Sequence, residues 1–304
     1  METTFSMTRV QHIMRRDLIE NCKSNLYGLL GIFAACFFPM LGFLWSAERW
    51  TEEGYPEVYS FERFCGNMLG IISMVVSVAM IYYASRIMKC MDNKEKRISY
   101  LLLPATKLEK FFSRALFVTV GTALMILVAL LALELTYYLL LPLFDLPTVY
   151  SQPMLVEVFS MKWVHASVDA TGEPVYSWWL MQLLVWIFCL WNHSLFILGG
   201  SFWYKHPFLK TIGACLAVTI LGGILFASSV DSGIWSFLIR RVDENYPHSP
   251  HSPHSPHSPH SPQTVNGLLT IISVVFLLFT VFNWWLSYRL FTRSEVVKRK
   301  LWRL

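Results

Sequence analysis

Long uninterrupted apolar runs dominate this chain and predict its architecture. A helix needs about 20 residues to cross a hydrocarbon core about 30 Å thick, and six runs reach that length. The runs lack the alternation of apolar and polar positions that strands of a membrane barrel show. Because backbone groups inside lipid must be hydrogen-bonded within their own segment, we expect helices. The sequence therefore predicts an all-α membrane protein with one domain over residues 1–304 and six transmembrane helices, at about 25–46, 64–85, 115–143, 177–203, 211–230 and 265–288.

The overall composition excludes several classes of protein. Hydrophobic residues make up 55% of the chain and charged residues only 15%, against about 25% charged residues in soluble domains. A disordered chain, a basic domain that binds nucleic acid and an ordinary water-soluble enzyme are all inconsistent with these values. The first apolar run is too long for a signal peptide and is not followed by a small-x-small cleavage site, so we expect it to be a retained span.

The distribution of basic residues predicts the orientation in the membrane. Of the 25 Lys and Arg residues, 20 lie in the N-terminal segment, the 86–114 connection, the connection after the fourth span and the C-terminal tail. Cytoplasmic connections carry an excess of Lys and Arg. We therefore expect a multi-pass protein of the cell (inner or plasma) membrane with both termini in the cytoplasm, an arrangement that the small net charge of +5 conceals.

An amphipathic helix is predicted before the first span. Its apolar positions recur at three- and four-residue spacing, and its basic residues lie mainly on the opposite face. Such a helix is suited to lie in the membrane interface, although a plain helical extension of the first span would fit the same residues. The apolar positions are Met7, Val10, Met14, Leu18 and Cys22.

The longest predicted cytoplasmic connection, residues 86–114, is expected to bind a partner. Thr106 and Glu109 have the spacing of a capping box, so a helix should begin near Thr106 and lead into the third span. Pro104 should end or kink the element before it. Exposed apolar residues between basic ones suggest a docking site for a cytoplasmic protein, whereas the alternative is that they rest in the lipid interface. The candidate docking residues are Arg97, Tyr100, Leu101, Leu102, Leu103, Lys107 and Lys110.

Motifs for catalysis or nucleotide binding are missing from the sequence. It contains no phosphate-binding G-x-x-x-x-G-K-[ST] and no H-E-x-x-H zinc motif, and it has no G-x-S-x-G. We therefore expect no enzymatic activity and no bound cofactor. Three polar residues within spans are candidates for a functional role. Glu134 should lie near the outer interface, where its charge costs little, and the alternative is a role in transport. Asn192 and His193 should form either a helix–helix hydrogen bond or a proton relay.

Three further patterns remain, two in the outer connections and one in the helix packing. His-Ser-Pro repeats within 247–262 favour a polyproline II helix, which places successive histidines about 9 Å apart. That separation favours a spacer over a metal site at His248, His251, His254, His257 and His260. The 233–239 run is apolar but too short to span, so it should lie on or re-enter the outer leaflet. A stripe of small residues on the second span should permit close helix packing, and comprises Gly66, Gly70, Ser73, Ser77 and Ala84.

The order of these elements resembles the membrane subunit of type-2 ABC transporters, the exporter permeases. The segment from Leu101 to Arg114, LLLPATKLEKFFSR, is similar to the one that many bacterial permeases carry at this place. The resemblance implies that two such subunits pair, as a homo- or heterodimer. It also implies that a separate ATPase, which binds the ATP, receives the element near 97–110. The cargo would be amphipathic or lipid-like. The competing interpretation is a non-transporting membrane protein that acts as a sensor, scaffold or resistance factor.

Overall fold

The computed structural model describes residues 5–55, 60–91, 93–160, 177–203, 205–231 and 262–293, and within them the chain is helical without strands. Short 3-10 turns occur at Lys89–Met91, Leu141–Leu143 and Thr148–Ser151, and a π-helical turn at Phe117–Gly121 joins two helices. The α-helices are α1 (Met7–Glu20), α2 (Cys22–Glu52), α3 (Phe61–Ser85), α4 (Lys94–Leu101), α5 (Lys107–Leu116), α6 (Thr122–Leu140), α7 (Met154–Phe159), α8 (Trp178–Phe202), α9 (Pro207–Asp231) and α10 (Pro262–Thr292).

Six helical segments are long and apolar enough to cross a membrane, which confirms the predicted all-α, multi-pass architecture. They are α2, α3 with the turn after it, the continuous α5–α6 segment, α8, α9 and α10. Several extend beyond the predicted spans. For example, α2 contains 31 residues and ends where Gly54 takes a φ of 84°, a left-handed conformation that glycine adopts without strain.

The helices run between two ends of a bundle. The α4 end holds α1, α4, α5 and the turn after α3, whereas the α7 end holds α7 and the 148–151 turn. Both ends of the described chain lie at the α4 end, because the Ser6 amide contacts Glu109 and the Lys107 ammonium contacts the Thr292 carbonyl. The side of the membrane on which the two termini lie stays a prediction.

Two apolar cores hold the bundle together. The larger is formed by α2, α3, α6 and α7, and the smaller lies at the α4 end. The helix α8 packs mainly against α10, and buried hydroxyl and amide groups bridge the two: Asn283 donates to Ser194 at 2.9 Å, and Ser201 bonds to Ser287. Such polar bridges stabilise helix pairs in lipid.

Close helix packing occurs at glycines other than those of the predicted stripe. Gly200 of α8 lies so near α3 that a Cβ atom would stand 2.3 Å from the Ser85 carbonyl oxygen, and Gly199 is equally tight against Thr211. By contrast, a Cβ on Gly66 or Gly70 would meet nothing within 4 Å. The stripe on α3 therefore makes no close helix contact at these two glycines within the described chain.

Candidate functional site at the α4 end

The N-terminal helix α1 packs against the bundle through Val10, Ile13 and Asp17, which are buried. Of the predicted apolar positions, Val10 lies on this buried face, whereas Met7 and Leu18 are 52% and 57% exposed. The placement of the exposed positions in the membrane interface stays a prediction. Spacing alone did not single out the buried face, because it includes a carboxylate that is favourable only with its partner in place.

The first link between α1 and α5 is made by Glu109. Its carboxylate accepts hydrogen bonds from the Arg9 guanidinium at 2.7 Å, from the Ser6 amide at 2.6 Å and from the Thr106 amide at 2.8 Å. The Thr106 hydroxyl in turn accepts from the Glu109 amide, which completes and confirms the predicted capping box. The charge and hydrogen bond of Glu109 raise the pKa of the Arg9 guanidinium. One carboxylate thus begins α5 and anchors α1.

The second link is a buried ion pair that the sequence did not reveal. Arg114 Nη1 lies 3.0 Å from Asp17 Oδ2, and the two side chains are only 5% and 4% exposed. The same guanidinium donates to the carbonyls of Ile87 and Arg86 at 3.0 and 3.4 Å, so it also holds the turn after α3. The available sequence signal was the position of Asp17, seven residues after Val10 and four after Ile13, on an otherwise apolar face.

Three of the candidate docking residues, Arg97, Tyr100 and Lys110, use their side chains for internal structure. The Tyr100 hydroxyl donates to the Lys110 carbonyl at 2.8 Å, and the Lys110 ammonium donates to the Leu101 carbonyl at 2.7 Å. Burial raises the pKa of the Tyr100 hydroxyl well above its usual range, in keeping with a neutral donor. Arg97 is buried and donates to the Met91 carbonyl.

The remaining docking residues lie around a short exposed tip. Leu102 is 75% exposed, and Lys107 is exposed. Leu101 and Leu103 are half-buried and pack against the smaller core. Leu108, one turn into α5, is also exposed. The surface that a partner could reach is therefore the tip formed by Leu102, Lys107 and Leu108.

These bonds join α1, the 86–91 turn, α4 and α5 into one unit, which we call the clamp. The clamp touches the ends of three membrane-spanning segments: Asn21 precedes α2, the 86–91 turn follows α3, and α5 continues into α6. Its contacts are directional hydrogen bonds and ion pairs, one of them the buried Arg114–Asp17 pair, so a displacement of the tip would be passed to these helices together. The clamp is suited to transmit motion.

At the α7 end, Glu134 has a structural partner. Its Oε2 atom accepts a hydrogen bond from the Leu155 amide at 3.0 Å, at the beginning of α7, while Oε1 is buried without a described partner. Its place near the outer membrane interface stays a prediction. A negative charge at a helix N-terminus is favourable, so this contact helps to hold α7 on α6.

Asn192 and His193 do not form the expected bond between helices in the described part of the chain. The Asn192 amide donates to Phe188 of its own helix, and both ring nitrogens of His193, a residue 2% exposed, find no hydrogen-bond partner among the described residues. The bridge to α10 is made instead by Ser194, the next residue along.

Metal binding finds no support in the described residues, where no group of three His, Cys, Asp or Glu side chains converges. The five repeat histidines and the 233–239 apolar run lie outside the described ranges, so both predictions stand untested. Comparison with family models, characterised proteins and solved structures finds no match for this chain.

Proposed function

We propose that this chain is the membrane-spanning permease subunit of an ABC-type exporter, with the α4 end in the cytoplasm. A separate ATPase would bind there, and two permease subunits would pair around the path of an amphipathic or lipid-like cargo. The observation that supports the proposal is the clamp, which connects one exposed tip to three membrane-spanning helices through a buried ion pair and hydrogen bonds to the backbone.

The mechanism follows from the contacts of the clamp. Movement of a bound ATPase would push on Leu102 and Leu108 at the tip. The Tyr100–Lys110 and Lys110–Leu101 hydrogen bonds keep α4 fixed on α5, so the push would reach α5 and α6 as one displacement. The Arg114–Asp17 pair would carry the same displacement to α1 and hence to α2. ATP hydrolysis would occur only in the partner.

The direct experiment is purification of the tagged full chain from its native membrane, followed by mass spectrometry and an ATP-hydrolysis assay. The proposal predicts a stoichiometric ATPase subunit and hydrolysis in the eluate. If repeated purifications in mild detergent give the intact chain without an ATPase, the sensor or scaffold interpretation is favoured instead.

A further inference from the structure

A cleft of about 480 Å³ opens beside the clamp, at the level where three membrane-spanning helices end. Asn21 lies just before α2, Cys90 just after α3, and Arg114 at the end of α5 that leads into α6. The volume lies in the range of small-molecule sites, about 300–1,000 Å³. The polar headgroups of a bilayer occupy this level, directly outside the hydrocarbon core.

The walls of the cleft carry charges of both signs. Four of these charged residues already have partners, because Arg114 pairs with Asp17 and Arg16 pairs with Glu20. Glu95 and Lys96 of α4 also line the cleft, are exposed, and form no ion pair with another described residue. The cleft can therefore offer a carboxylate and an ammonium to the same ligand.

We infer that this cleft binds the phosphoethanolamine headgroup of a membrane phospholipid. The phosphate would bind Lys96, and the primary ammonium would donate to Glu95. Lys89 also lines the cleft, and Asp17 and Glu20 are already paired, but a purely anionic headgroup would leave the exposed Glu95 carboxylate without a cation. A choline headgroup would also fit less well, because its trimethylammonium has no N–H to donate to a carboxylate. This site is independent of the proposed function, since it needs neither an ATPase nor a cargo.

The test uses the full chain in nanodiscs of phosphatidylglycerol mixed with equal amounts of phosphatidylethanolamine and phosphatidylcholine. Native mass spectrometry then counts the lipids that stay bound. For the unmodified protein we expect phosphatidylethanolamine to be retained about fivefold over phosphatidylcholine, a size consistent with one exposed charge-assisted contact. Glu95→Gln should remove that preference, and Lys96→Gln should lower the retention of both lipids.

Lys94→Gln is the matched control, because Lys94 is exposed on the same helix and does not line the cleft. It should retain lipid like the unmodified protein. Equal retention of the two lipids, or a preference that survives Glu95→Gln, would overturn the inference. Soluble glycerophosphoethanolamine at the same concentration should not displace the retained lipid; complete displacement would show a soluble ligand and overturn the lipid assignment.

Discussion

The two ends of the bundle differ in their main contacts, although aromatic rings also pack at the α4 end and the Glu134 carboxylate also holds α7. At the α4 end, buried charges connect the elements, with Arg114 serving Asp17 and two backbone carbonyls. At the α7 end, aromatic rings do so: the Phe61 and Phe64 rings pack on Tyr150 with centroids 5.3 and 5.9 Å apart, and the Tyr137 hydroxyl donates to the Tyr150 carbonyl.

This difference has a mechanical consequence. A buried ion pair is strongly destabilised when one partner is removed, so it fixes one arrangement of the elements that it joins. Ring contacts are weaker individually, at about 0.5–1.5 kcal/mol beyond burial, and tolerate small shifts. The α4 end is therefore suited to pass on a displacement, and the α7 end to accommodate one.

The largest effect is expected for Asp17→Ala. The change leaves the Arg114 guanidinium buried without its carboxylate, which should cost about 3–5 kcal/mol of unfolding free energy. Denaturant unfolding in mixed micelles measures it. Arg16→Ala breaks the exposed pair with Glu20 on the same helix and should cost at most about 1 kcal/mol. Equal losses for the two variants would show that the buried Asp17–Arg114 pair contributes no more to stability than an exposed pair on the same helix.

Combining Asp17→Leu with Arg114→Met removes both charges and should recover part of the loss, because an apolar pair of similar volume is often as stable as a buried ion pair. Recovery is partial because Arg114→Met also removes the bonds to the Ile87 and Arg86 carbonyls. If the losses of the two single variants simply add in the double variant, the two residues do not act as a pair.

The next effect concerns the contact between α8 and α3. Gly200→Ala would place a methyl group against the Ser85 carbonyl, and relieving that overlap should cost about 1–3 kcal/mol. Gly213→Ala is the matched control, since its Cβ would meet nothing within 4 Å. Thermal unfolding of the two variants side by side distinguishes them, and a neutral Gly200→Ala would show that α8 does not approach α3 so closely.

A smaller loss is expected at the α7 end. Tyr137→Phe removes the hydroxyl that donates to the buried Tyr150 carbonyl, at a cost of about 1–2 kcal/mol. The neighbouring Tyr138 is exposed, so Tyr138→Phe should change stability by less than about 0.5 kcal/mol. Equal unfolding free energies for the two variants would show that the Tyr137–Tyr150 hydrogen bond does not stabilise the α7 end.

The smallest effect is expected for Thr106→Ala, which removes the side-chain cap of α5. The loss should be about 1 kcal/mol, typical of an N-cap threonine. Thr219→Ala, in an exposed helix interior, serves as the control and should be close to neutral. Circular dichroism melts would measure both, and a Thr106→Ala melt that overlays the control would show that the cap is not needed.

The architecture could be predicted because apolar runs and caps are local signals. The six long helices, the end of α4 before Pro104 and the capping box at Thr106 each depend on a few consecutive residues. Their confirmation reflects the cost of unsatisfied backbone groups in lipid and at helix ends.

The clamp could not be predicted in full because its bonds join residues far apart in the chain. Arg114 was counted only as one of many basic residues of the 86–114 connection, although 97 positions separate it from its partner Asp17. Likewise, the sequence singled out Asn192 and His193, whereas Ser194 makes the bridge to Asn283. Only the facing helices decide which neighbouring polar residue finds a partner.

The central claim is that a partner ATPase docks on the tip of the clamp. The most direct measurement is the amount of ATPase retained on the tagged chain when Leu102→Asp is compared with Leu143→Asp. Leu102 and Leu143 are 75% and 74% exposed but lie at opposite ends of the bundle. The account predicts that Leu102→Asp lowers ATPase retention by about tenfold or more, while Leu143→Asp leaves it unchanged. Full retention with Leu102→Asp in a folded protein would contradict the account.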